Sequence, residues 1–396
     1  MGIIIAIIIF GIIVTVHEFG HFICAKLSGI KVIEFSVGMG PKIIQKQKGE
    51  TMYSLRLLPV GGYCAMEGED STDDSPRAFR NAKLWKRMIV LVAGAVMNFV
   101  LGFCVLIPMV SMMNDVPTTK VSGFVGIRND ENVSDGFRCR TLAWRFGKRL
   151  SVPDMNEEIP ASEVGYGGKL NEDGSIIYYS TSNDKLKKKD KILSVDGSRV
   201  FSVLDLNFIF ETNSAVDGKR TVVVRRDGKK VKLEDVEFCN SIDGSEWDFG
   251  LVYRKKTPLT VIKGSSDIFM SMTHIVGLSL KQLVTGKVEK EAISGPVGVV
   301  SEISEVATQK TEDKGNIIFN LLYVTALITI NVGIFNLLPV PGLDGGRLLF
   351  CFIELVRGKP IKPEHEGYVH LAGMLLLFGI MIFATYNDII KLVTGG

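Results

Sequence analysis

Four runs of apolar residues, near 2–27, 88–113, 317–341 and 367–386, divide this chain. Each approaches the ~20 residues that a helix needs to cross the hydrocarbon core of a bilayer, so the pattern predicts about four transmembrane helices. Between the second and third runs lie about two hundred mostly polar residues, which read as a water-soluble domain followed by a connector. Within that stretch, residues 118–240 have a β-rich composition, and Arg220–Val231 predicts a hairpin turning at Asp227-Gly228. The segment 127–175 is longer and more polar than a small β fold needs, which suggests an insertion. Residues 33–65 alternate short β-branched runs, such as Lys42–Gln45 and Met52–Leu57, with glycines, and predict paired short strands. Residues 67–87 are acidic, then basic, a surface linker leading to an interfacial Trp85. Asp267–Leu283 is amphipathic and is expected to lie on the membrane surface.

Composition adds orientation. Mean hydropathy is +0.24 although 22% of residues are charged, so apolar and charged positions are segregated. The net charge of +3 gives no reason to expect a nucleic-acid partner. Six cysteines without C-x-x-C spacing exclude a zinc ribbon and a dense disulfide framework, and leave Cys139 and Cys239 as a candidate pair. The first apolar run has no basic residues ahead of it, so it is expected to persist as a helix and not to be removed as a signal peptide. Basic residues crowd the 26–87 segment (Lys26, Lys31, Lys42, Lys83, Lys86, Arg87 among them) and recur at Arg347, Arg357, Lys359 and Lys362. Positive loops stay in the cytoplasm, which places both termini and the large middle domain outside.

The chemistry enters at His17-Glu18-Phe19-Gly20-His21, inside the first apolar run. Residues four apart share a helix face, so His17 and His21 can present ring nitrogens to one Zn²⁺ with Glu18 beside them as a general base. A chance match is the alternative. Against it stand the scarcity of histidine, five in 396 residues, and the usual functional role of polar groups at membrane depth. Catalytic zinc keeps three protein ligands and an open position, and the third candidate is Asp344 in Asn336-Leu-Leu-Pro339-Val-Pro341-Gly342-Leu-Asp344-Gly345-Gly346, at the inner end of the third span. There the prolines break the helix and the glycines let the chain fold back. Asn336 has two readings, holding substrate backbone or an oxyanion, or capping exposed carbonyls. His274 reads as interfacial and not a ligand, and His365 and His370 as solvent-facing or structural.

HEFGH at 17–21 and NLLPVPGLDGG at 336–346 together resemble the site-2 protease family of intramembrane zinc metalloproteases, of the bacterial regulator-of-sigma-E protease (RseP) type. The resemblance extends through Phe35–Pro41, Leu58–Tyr63 and Ser294–Gly298, and Lys191–Gly197 is similar to a strand and turn of a PDZ domain. It implies that His17, His21 and Asp344 bind zinc, that Glu18 activates water, and that a membrane-dipping β-loop holds an unwound substrate by strand addition. Gly61, Gly62, Tyr63 and Asn98 accordingly join Asn336 as candidate substrate-binding residues. Two departures stand out. Ala93-Gly94-Ala95 precedes Asn98 where the family usually has Ala-Gly-Pro, and Lys188-Lys189 precedes Asp190 where a PDZ domain usually has Pro-Gly.

The expected architecture is a multi-pass α-helical membrane protein with a membrane-associated β-loop and an inserted extracytoplasmic β-rich, PDZ-like domain. Its parts are the first span with HExxH (1–32), the cytoplasmic-side β-loop and linker (33–87), the second span (88–113), the PDZ-like domain with its insertion (114–257), an amphipathic interfacial connector (258–316), the third span (317–346), and a cytoplasmic loop with the fourth span (347–396). The expected activity is zinc-dependent hydrolysis of a peptide bond in or beside the transmembrane helix of a substrate in the bacterial cytoplasmic membrane, with the active site toward the cytoplasm. Membrane-anchored anti-sigma factors and remnant signal peptides are the substrate classes that the resemblance implies. A zinc-binding PDZ scaffold without hydrolysis is the alternative; Glu18 argues against it, since pure binding needs no base beside an open metal position. A secondary transporter would show repeated halves, and none is evident.

Overall fold

A computed structural model describes residues 2–69, 75–124, 185–212, 219–238, 249–286, 295–308, 314–361 and 363–394, with short strand pairs inside 127–178. Cys139, Cys239 and most of the expected insertion lie outside the described residues. The chain forms two compact units, one from 1–106 and 278–396, the other from 107–277.

Among the described residues, four helices are long and apolar enough to cross a membrane: α1 (Gly2–Ser28), α2 (Leu84–Met112), α6 (Lys314–Leu337) and α8 (Pro363–Thr394). In the first unit, Ile4, Ile8 and Ile12 of α1 and Leu375, Phe378 and Phe383 of α8 are exposed, as expected for helices whose solvent is lipid. Between α1 and α2 the chain makes β1 (Val32–Lys48) and β2 (Thr51–Met66). These two long strands bend on themselves: Phe35 lies opposite both Cys64 and Tyr53, while Lys46 also faces Tyr53. The result is a small sheet of four segments with 42–48 and 61–66 at its edges, so the pairing expected is present but is made by two long bent strands and not by short ones. Arg56 pins it, donating to Ser36 Oγ (3.0 Å), Gly40 O (2.7 Å), Glu34 Oε1 (2.9 Å) and the Tyr63 hydroxyl.

The expected connector 258–316 resolves into two helices, α4 (Pro258–Val284) and α5 (Pro296–Thr308). Helix α5 packs against α1, α6 and α8 around Ala6, Ile303 and Val324. Its N-terminus is held by Asp388 of α8, whose buried carboxylate accepts from Gly295 N (3.0 Å) and Gly298 N (2.7 Å). A carboxylate there satisfies amides that a helix start leaves unpaired and suits the helix dipole. The last segment before α8 is the amphipathic helix α7 (Asp344–Arg357). Arg347–Glu69, Arg87–Glu354 (2.9 Å) and Arg80–Glu366 (3.0 Å) tie α7 and α8 to the 67–87 linker and the start of α2.

The second unit is an antiparallel sheet in the order β6-β5-β4-β3-β7, from β3 (Asp115–Phe124), β4 (Lys191–Val195), β5 (Lys219–Arg226), β6 (Lys229–Glu237) and β7 (Phe249–Lys255). Helix α3 (Val203–Thr212) contributes Leu206, Ile209 and Phe210 to a core with Val121, Ile192, Val222 and Val224. The hairpin expected at Asp227-Gly228 is present, with both residues at positive φ, the geometry of a tight two-residue turn. Lys189, standing where a PDZ domain usually has glycine, takes φ 77°, a left-handed conformation that a side chain disfavours. Fully buried Asp205 links α3 to α4: it accepts from Phe201 N and Ser202 N and bonds Ser271 and His274. His274 is thus a structural partner of a carboxylate.

Candidate metal centre

Helix α1 carries His17 and His21 one turn apart on its buried face, 7% and 6% exposed. From the far end of the sequence, the loop after α6 folds back over the start of α7 and delivers Asp344. Two glycines make this possible: Gly342 sits at φ 99°, and a Cβ on Gly346 would stand 2.9 Å from Pro341 Cα. His370 of α8 steadies the loop by accepting from Gly342 N at 2.9 Å. The donor atoms then converge. His17 Nε2 and His21 Nε2 lie 3.0 and 3.2 Å from Asp344 Oδ2, and 3.1 Å from each other. Tetrahedral zinc with bonds of about 2.0–2.1 Å separates its ligands by about 3.3–3.4 Å, so this slightly tighter triangle fits a zinc ion after small side-chain adjustments.

Two further observations support the fit. His21 Nδ1 donates to Val90 O at 2.8 Å, and since a carbonyl only accepts, the proton is fixed on Nδ1 and the Nε2 lone pair is left facing Asp344. Gly94 of α2 leaves room beside the ring nitrogens: a Cβ there would press on His21 Nε2 and stand 2.6 Å from His17 Nε2. Among the described residues, His17, His21 and Asp344 form the only group of three metal-binding side chains.

Glu18 adjoins this triangle from the same helix, and its Oε2 accepts from Cys64 N at 3.0 Å. The edge segment 61–66 of β2 therefore runs alongside the candidate base, and a Cβ on Gly62 would be 3.8 Å from Glu18 Cγ. Of the other substrate-binding candidates, Gly61 has φ 81°, and Tyr63 is engaged with Arg56 in the same sheet. Asn336 donates its amide N–H to Val332 O, one turn earlier on α6, at 3.0 Å. Asn98 is fully buried with its amide nitrogen 3.1 Å from His17 Nδ1, so it faces the histidine and not an open surface.

The model of peptidase family M50 matches residues 5–380. The chain belongs to that family. It is 30% identical to the regulator of sigma-W protease RasP of Bacillus subtilis over 423 residues, covering 98% of this chain and 97% of the relative. It is 31% identical to the zinc metalloprotease RasP of Geobacillus kaustophilus, covering 97% of each, and 30% identical to that of Oceanobacillus iheyensis, covering 98% of each. Gly94, beside the ring nitrogens, and His370, which holds Gly342, are residues near this candidate site to which sequence reading assigned no part. The resemblance had drawn attention to 93–95 only for its missing proline, and no motif surrounds His370.

Proposed function

We propose that this M50 chain is a zinc endopeptidase of bacterial membranes that cuts single-span substrates, and that His17, His21 and Asp344 hold the metal while Glu18 is the general base. The observation that carries the reading is the convergence of three donor atoms, each about 3 Å from the next, beside a second carboxylate, that of Glu18, in one apolar helix bundle. Zinc at such a site supplies Lewis acidity, bringing the pKa of water toward neutrality and polarising a carbonyl. Glu18 accepts the proton of the attacking water and returns it to the leaving amine, as its position next to the ligands on α1 allows. The β2 edge at 61–66 receives the unwound substrate as an added strand, which brings the scissile bond beside Glu18. His21, held through Val90 O, keeps its lone pair directed inward throughout.

The basic 26–87 loop supports a cytoplasmic orientation for the β-loop and the metal, with the 114–257 domain outside. Anti-sigma factors and remnant signal peptides are the substrate classes proposed, the first because the Bacillus subtilis relative is named a regulator of sigma-W protease. The outer domain selects: by size exclusion, deleting 118–240 admits untrimmed substrates, whereas by terminus capture the deletion abolishes cleavage of trimmed ones. The decisive test of the activity uses purified full-length protein and a single-span reporter in detergent. Cleavage that stops on chelation and returns with Zn²⁺ is expected; cleavage indifferent to chelator refutes the reading.

A further inference from the structure

His17 and His21 resemble each other in sequence and differ in what stands behind them. Behind His21 is a backbone carbonyl, which admits one tautomer only. Behind His17 is the side-chain amide of Asn98, fully buried on α2 and 3.1 Å away. An amide has two faces, and they dictate opposite tautomers. With its nitrogen toward His17 it donates to Nδ1, which puts the ring proton on Nε2, toward Asp344 and in the way of any cation. Turned by 180°, it accepts from a protonated Nδ1 and leaves the Nε2 lone pair directed at the convergence point. In the orientation described here the amide oxygen is buried without a hydrogen-bond partner. A partner is within reach after that turn, because the proton on His17 Nδ1 supplies it.

We propose that Asn98 is the positioning residue for His17, fixing its ring and selecting, by the orientation of its amide, the tautomer that takes the metal. The inference rests on the zinc reading of His17, His21 and Asp344. Groups that hold the distal nitrogen of a metal-binding histidine are worth about 10–100-fold in metal affinity. Leucine matches asparagine in shape and offers no acceptor; aspartate offers an acceptor and nothing else. Asn98→Leu therefore weakens zinc binding 10–100-fold, while Asn98→Asp retains it to within a few-fold.

The test is chelator competition for zinc on full-length protein in detergent, comparing the parent chain, Asn98→Leu, Asn98→Asp and His17→Ala, with melting of the zinc-free forms as the check on folding. Parent-like affinity in Asn98→Leu, or an equal loss in Asn98→Asp, overturns the inference. A parent-like affinity in His17→Ala overturns the metal reading as well, so the two failures are told apart. Should Asn98→Leu not fold, histidine-selective ¹⁵N NMR of the zinc-loaded parent decides alone, since the chain holds only five histidines. His17 protonated on Nδ1 is expected; an unprotonated or zinc-bound Nδ1 refutes it.

Discussion

Gly94→Ala adds one methyl group to α2, and the structure says where it goes. The new Cβ would stand 2.6 Å from His17 Nε2, against the 3.4 Å of an ordinary contact, so the ring must retreat by about 0.8 Å. Zinc bonds tolerate displacements of only about 0.2 Å. Metal affinity therefore falls at least ~100-fold, equivalent to about 2.7 kcal/mol. Folding responds differently. Alanine in a helix interior gains about 0.5–1 kcal/mol over glycine, and overpacking costs about 1–3 kcal/mol, so the zinc-free protein loses no more than about 2.5 kcal/mol. Gly102→Ala is the control: it overpacks the same helix against Ile330 Cγ1 at 2.9 Å, away from the histidines. Zinc content after dialysis against a weak chelator, with melting of the metal-free proteins, reads both effects. Gly102→Ala should retain zinc and Gly94→Ala should lose it. If Gly94→Ala holds zinc as the parent does, the ring nitrogens do not converge where the structure puts them.

Other outcomes follow from single residues. Lys189→Gly relieves a left-handed lysine worth about 1–2 kcal/mol, less about 0.5–1 kcal/mol of added chain entropy; the melting temperature should rise by a few degrees, and a fall refutes the strain. Burial opposes ionisation of Glu34, but hydrogen bonds from Ser54, Tyr63, Arg56 and Lys42 outweigh it and hold the carboxyl down to about 2. Its stabilisation is complete above an unfolded value near 4.5 and is lost as pH falls toward 2; Glu34→Gln should cost about 1 kcal/mol or less at pH 7 and progressively less below pH 4, and a penalty that grows on acidification contradicts this. For topology, an impermeant thiol reagent on intact cells should label Lys229→Cys above the parent background and spare Lys48→Cys until the membrane is opened; the reverse pattern overturns the orientation.

The parts legible in the sequence are those governed by near neighbours along the chain. Apolar runs of membrane length mark the spans, the four-residue step from His17 to His21 is a helix period, and Pro339, Pro341 and the glycines announce the fold-back that brings Asp344. Asp227-Gly228 marked its hairpin for the same reason. What stayed hidden depends on which helix faces which. Gly94 matters because α2 crosses α1 at the histidines; Asn98 meets His17 across 81 residues, and Gly342 meets His370 across 28. Asp388 and Asp205 are single carboxylates without a motif, and only tertiary packing shows that one starts α5 and the other binds α4. The β-loop was visible as strands, but its doubling at Phe35 arises from bulges that alternation alone does not encode.

Holding the metal and using it fall to different side chains of this site, and two variants separate them experimentally. Glu18→Gln leaves every ligand in place and removes the proton acceptor; Asp344→Ala leaves the base and breaks the ligand triangle. Zinc per chain by elemental analysis and turnover of a single-span reporter, measured on the same preparations, should give about one zinc and no turnover for Glu18→Gln, and depleted zinc with no turnover for Asp344→Ala. Near-parent turnover in Glu18→Gln, or full zinc in Asp344→Ala, would contradict the account.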